Sequence, residues 1–269
     1  GCSQGTSNSA KNGTTGSENT IISESDIAIL DTEDMFTERD RDTEYDESEC
    51  TAISLSDEET KCDSDGVKMD GQTVTITEGG TYLLTGSLSN GSVVVDTDKT
   101  EKVQLILENV SIINEEGAGI CVEQADKVFI TLADGSTNKI VSNSFTGNED
   151  TNIDGAIFSR EDLTLNGSGT LKITSAAHGI VSKDDLVLTG GVYQIQSEKQ
   201  GLSGKESVRI ADGTFTITSG TDAIHSEDTD EDTKGFVYIT GGVLTLAAGG
   251  DGISSSYVVQ ADGGSFDIS

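Results

Sequence analysis

Two adjacent carboxylates, Asp184 and Asp185, stand between apolar runs in "HGIVSKDDLVLTGG" (178–191), and "QGLSGKESVRIADG" repeats the pattern with Glu206 where Asp184 stood. Aligned on their shared small-plus-aliphatic step, Glu161, Asp184, Glu206 and Asp228 fall in one column, with Asp162 and Asp185 beside the first two. Neighbouring carboxylates repel by about 1 kcal/mol in water and more in a partly dry site. On a chain with 48 acids, 16 bases and a formal net charge of −32, such bunching calls for a positive partner. A parallel basic column one residue earlier, Arg160, Lys183 and Lys205, would make a ladder of alternating surface charge. The other partner is a hard cation, since Ca²⁺ collects carboxylate and carbonyl oxygens that stacked turns can supply from separate segments.

The basic column fails at one repeat. There Glu227 replaces the lysine, and the insertion "DTDEDTKG" (228–235) adds Asp230, Glu231 and Asp232; Asp222 lies just before, and Asp251 matches it one repeat later. The expected calcium ligands are therefore Asp222, Glu227, Asp228, Asp230 and Asp251, then Asp162, Asp184, Asp185 and Glu206; a solvated acidic loop is the plainer alternative. No EF-hand loop occurs. His225 in this repeat and His178 two repeats earlier are of a kind that ordinarily stands as a simple exposed side chain.

Enzyme readings find less support. Proton abstraction needs a base of lowered pKa, whereas acids flank Arg160, Lys183 and Lys205 and favour their charged forms. There is no G-x-S-x-G, and "GLSGKES" only imitates a phosphate loop, with Lys199 and Glu206 where glycine and a hydroxyl residue belong.

The elements that position these residues are repeats. "DGAIFSREDLTL", "HGIVSKDDLVL", "QGLSGKESVRI", "DAIHSEDTD" and "DGISSSYVV" align at Ile157, Ile180, Leu202, Ile224 and Ile253, steps of 23, 22, 22 and 29 residues. Each unit holds three short runs alternating apolar with polar, which predicts three strands per unit. The fold class is thus all-β: a three-sided parallel β-helix of about 22 residues per coil over 72–269. Leu163 with Leu165, Leu186 with Leu188, and the series Leu171, Tyr193, Phe215, Leu244 and Phe266 are expected to point inward. The acidic, irregular segment 31–71 is expected to hold one short helix and to cap the open end of the solenoid.

Composition bounds the rest. So acidic a chain lacks the basic footprint nucleic acid requires. No run of 18 apolar residues spans a membrane. Residues 1–30 open with Cys2 followed by small polar residues, as expected of a lipoprotein linker whose cysteine carries the only membrane anchor, at the outer cell surface. Cys50 and Cys62 could pair in an oxidising compartment, and no C-x-x-C motif supports zinc.

The phrases "MFTERDRDTEYDE", "VFITLADGSTN", "IFSREDLTLNGSGTL", "HGIVSKDDLVLTGG" and "EDTKGFVYITGG" make residues 34–269 resemble the bacterial surface carbohydrate-binding proteins of right-handed parallel β-helix fold. That resemblance implies a pectate-lyase-like architecture, calcium binding, and polygalacturonate or cellulose as partner. Aromatic platforms are not in prospect, because only Phe158, Tyr238 and Tyr257 are candidates to face outward. The expected function is non-catalytic, calcium-dependent binding of an acidic polysaccharide by a monomer, with Arg160, Lys183, Lys205 and His225 as contacts. A passive adhesin and a calcium-dependent lyase are the alternatives.

Overall fold

The computed structural model describes residues 30–148 and 150–269; Cys2 and the linker lie outside them. Three rows of parallel strands wind along one axis. Face one carries Lys102–Leu107, Lys127–Leu132, Asp162–Gly167, Asp185–Leu188, Ser207–Ile210, Phe236–Ile239 and Val259–Ala261. Face two runs from Ser111–Asn114 through Thr137–Ser142, Thr170–Ser175, Val192–Ser197, Thr214–Ser219 and Val243–Ala248 to Ser265–Ile268. Face three holds Ser92–Asp96, Ile120–Gln124, Gly155–Ser159, His178–Ser182, Leu202–Gly204, Ile224–Ser226 and Ile253–Ser255.

The register is that of the sequence columns: Ile157 pairs with Ile180, Ile180 with Leu202, Leu202 with Ile224, and Ile224 with Ile253. Period-two alternation turns every second side chain inward, so each coil buries its layer against the next. Leu163, Leu165, Leu171, Leu186, Leu188, Tyr193, Phe215 and Leu244 are all fully buried. Tyr193 and Phe215 stack with centroids 4.8 Å apart, and the Tyr193 hydroxyl donates to the Gly190 carbonyl at 2.6 Å. Phe266, at the last rung, keeps 38% of its surface exposed.

Faces one and two join where Gly80–Leu88 bends between them. Its first half pairs with Lys102–Leu107, and Ser87 and Leu88 pair with Ser111 and Ile112. Gly86 sits at the bend with φ +86°, and a Cβ there would lie 2.2 Å from the Leu55 carbonyl oxygen. Only glycine meets both demands.

The acidic segment divides into two parts, one at the N-terminal edge of the sheets and one along face one. Thr51–Leu55 already belongs to face one, pairing in parallel with residues 82–86, and Val67–Asp70 forms an antiparallel hairpin with Thr73–Ile76 on face three. Residues 30–49 do not cover the end; they lie as a strap along the outer side of face one. Leu30 N–H donates to Gln260 at 3.2 Å, Arg209 donates to the Met35 carbonyl at 3.2 Å, and Asn166 donates to the Asp40 and Asp42 carbonyls. Leu30 and Met35 pack on Phe236 and Tyr238. The expected helix is one turn, Glu38–Arg41, closed by a capping box between Thr37 and Asp40.

Cys50 and Cys62 are separate thiols, not a disulfide. The antiparallel bridge between Ser54 and Lys61 sets Cys62 near Ile53, while Cys50 Sγ turns to the Asp46 carbonyl at 3.2 Å. Cys121 is buried on the outer side of face three beside Phe158, where burial pushes its thiol up to about 12.

Candidate functional site

The insertion that was expected to cage calcium is knitted together by its own hydrogen bonds. Asp222 Oδ1 accepts the Asp251 N–H at 2.8 Å, and its Oδ2 lies 2.8 Å from Ser254 Oγ and 3.0 Å from His225 Nδ1. Burial raises the Asp222 pKa, but these donors outweigh it and hold the carboxyl below its ordinary value. Asp228 Oδ1 takes the N–H groups of Asp230 and Glu231 at 2.8 and 3.0 Å. Asp230 pairs with Lys205 at 2.7 Å, and Glu227 reaches His225 Nε2 at 3.4 Å. The carboxylates of Asp222 and Asp228 are thus spent on local donors, and Asp251 joins them through its backbone N–H. Among the described residues no group of three or more His, Cys, Asp or Glu forms a metal cage.

The second acidic set is drawn closer together. Asp185 Oδ1 accepts from Ser207 Oγ at 2.5 Å and meets Arg209 at 3.2 Å, and the Asp185 N–H donates to Asp162 Oδ1 at 3.0 Å. Glu206 is paired with Lys234 at 2.8 Å. Asp184 is raised to about 6, first by burial and then by Asp162, Glu206, Glu161 and Asp185. Burial, with Asp185 and Glu206, likewise raises Asp162 against the Asp185 N–H. This is a half-buried ladder of hard oxygens with negative charge left over.

Positive charge gathers next door, on the outer side of face three. Strand register stacks Phe158, Val181, Ser203 and His225 on successive rungs. Two residues further along the chain come Arg160, Lys183, Lys205 and Glu227. Lys183, Lys205, His178 and His225 line one cavity of about 380 Å³ with Gln200, Ser203 and Glu227. Arg160 flanks it, bonded to Glu123 at 2.8 Å and to the Thr151 carbonyl at 2.9 Å. Its guanidinium lies 5.2 Å from the Phe158 centroid, and the Lys183 ammonium lies 5.7 Å from the same ring. Among the described residues Lys183 has no carboxylate within ion-pair distance. His178 Nδ1 accepts the Gln200 N–H at 3.0 Å, which leaves Nε2 to face Asp154 at 3.5 Å.

Residues 70–269 match the family described as "Carbohydrate-binding domain-containing protein". The chain belongs to that family. A carbohydrate-binding domain-containing protein of Acetivibrio thermocellus is 34% identical over 137 residues, 49% of this chain and 48% of the relative. The chain therefore spans about half the length of that curated relative. A solved structure titled "Structure of the polysaccharide lyase-like protein from C. thermocellum, Gadolinium derivative" is 32% identical with a TM-score of 0.72, covering 81% of this chain and 94% of that one.

Among the described residues of this carbohydrate-binding domain no Phe or Tyr ring lines the groove. Phe158 points out of the solenoid but is fully buried under Arg160 and Lys183, and Tyr238 is buried under the strap. Of the expected contacts, Lys183, Lys205 and His225 line this one cavity and Arg160 flanks it; sequence reasoning gave His178 no role, although His178 precedes Ile180 by the offset that separates Gln200 from Leu202. It also passed over face two. There the outward residues Lys139, Lys172, Gln194, Thr216 and Thr245 pair rung to rung, beside Val141, Thr174, Gln196, Thr218 and Ala247. From residue 137 to 248 the outward positions of these strands carry no acid. The signal was in the sequence, as the complement of the inward columns.

Proposed function

We propose that the protein binds an acidic polysaccharide without cleaving it, in the groove lined by Lys183, Lys205, His178 and His225. The observation that carries this reading is the concentration of basic side chains on consecutive rungs of one face in a chain of net charge −32. Rungs about 4.8 Å apart offer an extended polymer a repeating row of donors for its carboxylates. Lys205, held protonated by its hydrogen bond to Asp230, is suited to gripping an anion and unsuited to abstracting a proton. Anchorage at the cell surface through Cys2 belongs to the same proposal.

Titration calorimetry with polygalacturonate tests it. The variants Lys183→Ala and Lys205→Ala should each weaken binding about ten-fold, since each removes a charge-assisted hydrogen bond. Wild-type affinity in the double variant would remove the groove from consideration. Absorbance from unsaturated products would instead favour the lyase alternative.

Calcium enters this proposal at the Asp184 ladder and not at the insertion. Among the described residues the Glu161 and Asp184 side chains have no ion-pair partner, and Asp162, Asp185 and Glu206 stand beside them; a bound ion would neutralise the surplus charge and stiffen the turn beside Lys183 and Lys205. A neutral partner such as cellulose has its own supporting observation, the outer side of face two between residues 137 and 248, which carries no acid and is lined with Thr, Gln and Lys. Pull-down on insoluble cellulose, with Thr216→Glu and Thr245→Glu as charged variants, separates that reading from the groove.

A further inference from the structure

A second cavity, of about 520 Å³, adjoins the groove at the corner between faces two and three. Its walls are residues 143–146 and 152–154 on one side and the turns at Ala176–Ala177 and Glu198–Lys199 on the other. Ala177 and Lys199 each precede a groove residue, His178 and Gln200, and the contact between Asp154 and His178 forms the partition. The lining is amphipathic. Phe145 and Ile153 supply apolar surface, Asn143 and Asn152 supply amides, and Lys199 stands with the carboxylates of Glu198 and Asp154, the latter turned to His178. That mixture suits a sugar ring, which has an apolar side and a hydroxylated edge, and it lacks the excess positive charge of the groove.

Phe145 is held in place by its neighbours. Glu116, on the preceding coil, accepts from Ser144 Oγ at 3.2 Å, Thr146 Oγ1 at 2.9 Å and the Gly147 N–H at 3.0 Å. The Gly117 N–H also donates to the Ser144 carbonyl at 2.8 Å. Ser144, Thr146 and Gly147, which flank the ring, are thereby tied to the preceding coil, which lowers the ordering cost of using Phe145 as a contact.

The geometry points to a second sugar subsite here, with the Phe145 ring as its platform and the amides and Lys199 as hydroxyl partners, extending the groove beyond His178. This rests on the groove being a glycan site. Shorter oligomers fill the groove alone, and longer ones place a further ring against Phe145.

The experiment is calorimetry of full-length protein with oligogalacturonates of increasing length. Phe145→Ala should lose roughly five- to ten-fold affinity for long oligomers while leaving the shortest unchanged, and Phe145→Tyr should restore it. Lys183→Ala should weaken every length. Wild-type affinity of Phe145→Ala for all lengths, or an equal loss at every length, overturns the subsite. If Lys183→Ala is itself without effect, the groove reading fails separately and the subsite falls with it.

Discussion

Asp40 is the most constrained carboxylate in the strap, only 2% exposed. Its Oδ1 meets Lys127 at 2.8 Å and the Thr164 hydroxyl at 2.7 Å, while its Oδ2 takes the Thr37 N–H at 2.9 Å. Burial alone would raise its pKa, yet Lys127 and the Thr37 and Thr164 donors prevail and hold it below the ordinary value. A carboxylate depressed on folding contributes stability that is present above its unfolded pKa of about 3.9 and lost as pH falls through the lower folded value. Asp40→Asn leaves the Lys127 ammonium facing a neutral amide and should cost about 3 kcal/mol at pH 7. Urea unfolding at pH 7 and again near pH 2 checks this, and the gap between variant and wild type should narrow at the lower pH. Asp184 offers a contrasting case, a carboxylate with too few positive neighbours. Adding Ca²⁺ should raise the melting temperature of the wild type, and Asp184→Asn should abolish most of that rise; an equal rise in both would move the ion elsewhere.

At the level of elements, the stacked strands depend on the inward columns. Tyr193 on Phe215 is the heaviest pair in them. Phe215→Ala should cost about 3–5 kcal/mol, because the coils on either side cannot close over the lost ring; denaturant unfolding measures it directly. These columns were legible beforehand because two-residue alternation leaves a mark on each strand, and the register of Ile157 through Ile253 follows from it. The strap left no such mark. Its burial depends on Leu30, Met35 and Asp40, scattered among acids without a period, and its partners Arg209, Thr164 and Asn166 lie more than a hundred residues away. Its placement along face one and not over the end is a tertiary fact. The same limit explains the insertion: acid content predicted a cation, but Asp222 and Asp228 spend their oxygens on nearby N–H groups, a choice of turn geometry that composition does not encode. The basic column was readable because lysines on consecutive coils inherit the strand register.

For the whole molecule the outstanding fact is a charge of −32 surrounding a basic groove. An anionic polymer approaching in dilute buffer meets the field of the entire surface before it feels Lys183 or Lys205. That field reaches about 30 Å at 0.01 M salt but only about 8 Å at 0.15 M. Contacts inside the groove act at hydrogen-bond range and are screened far less. Raising ionic strength between these limits should therefore speed association with polygalacturonate several-fold while dissociation changes little, the reverse of the usual behaviour of oppositely charged partners. Stopped-flow or surface-plasmon association rates across that range provide the measurement. A rate that falls with salt would mean the basic column dominates the long-range field, and the acidic surface would then have no part in selecting how the polymer arrives. If the rate rises as expected, the acids admit the chain only where the groove is open to it, so charge outside the site contributes to specificity by repelling misaligned approaches.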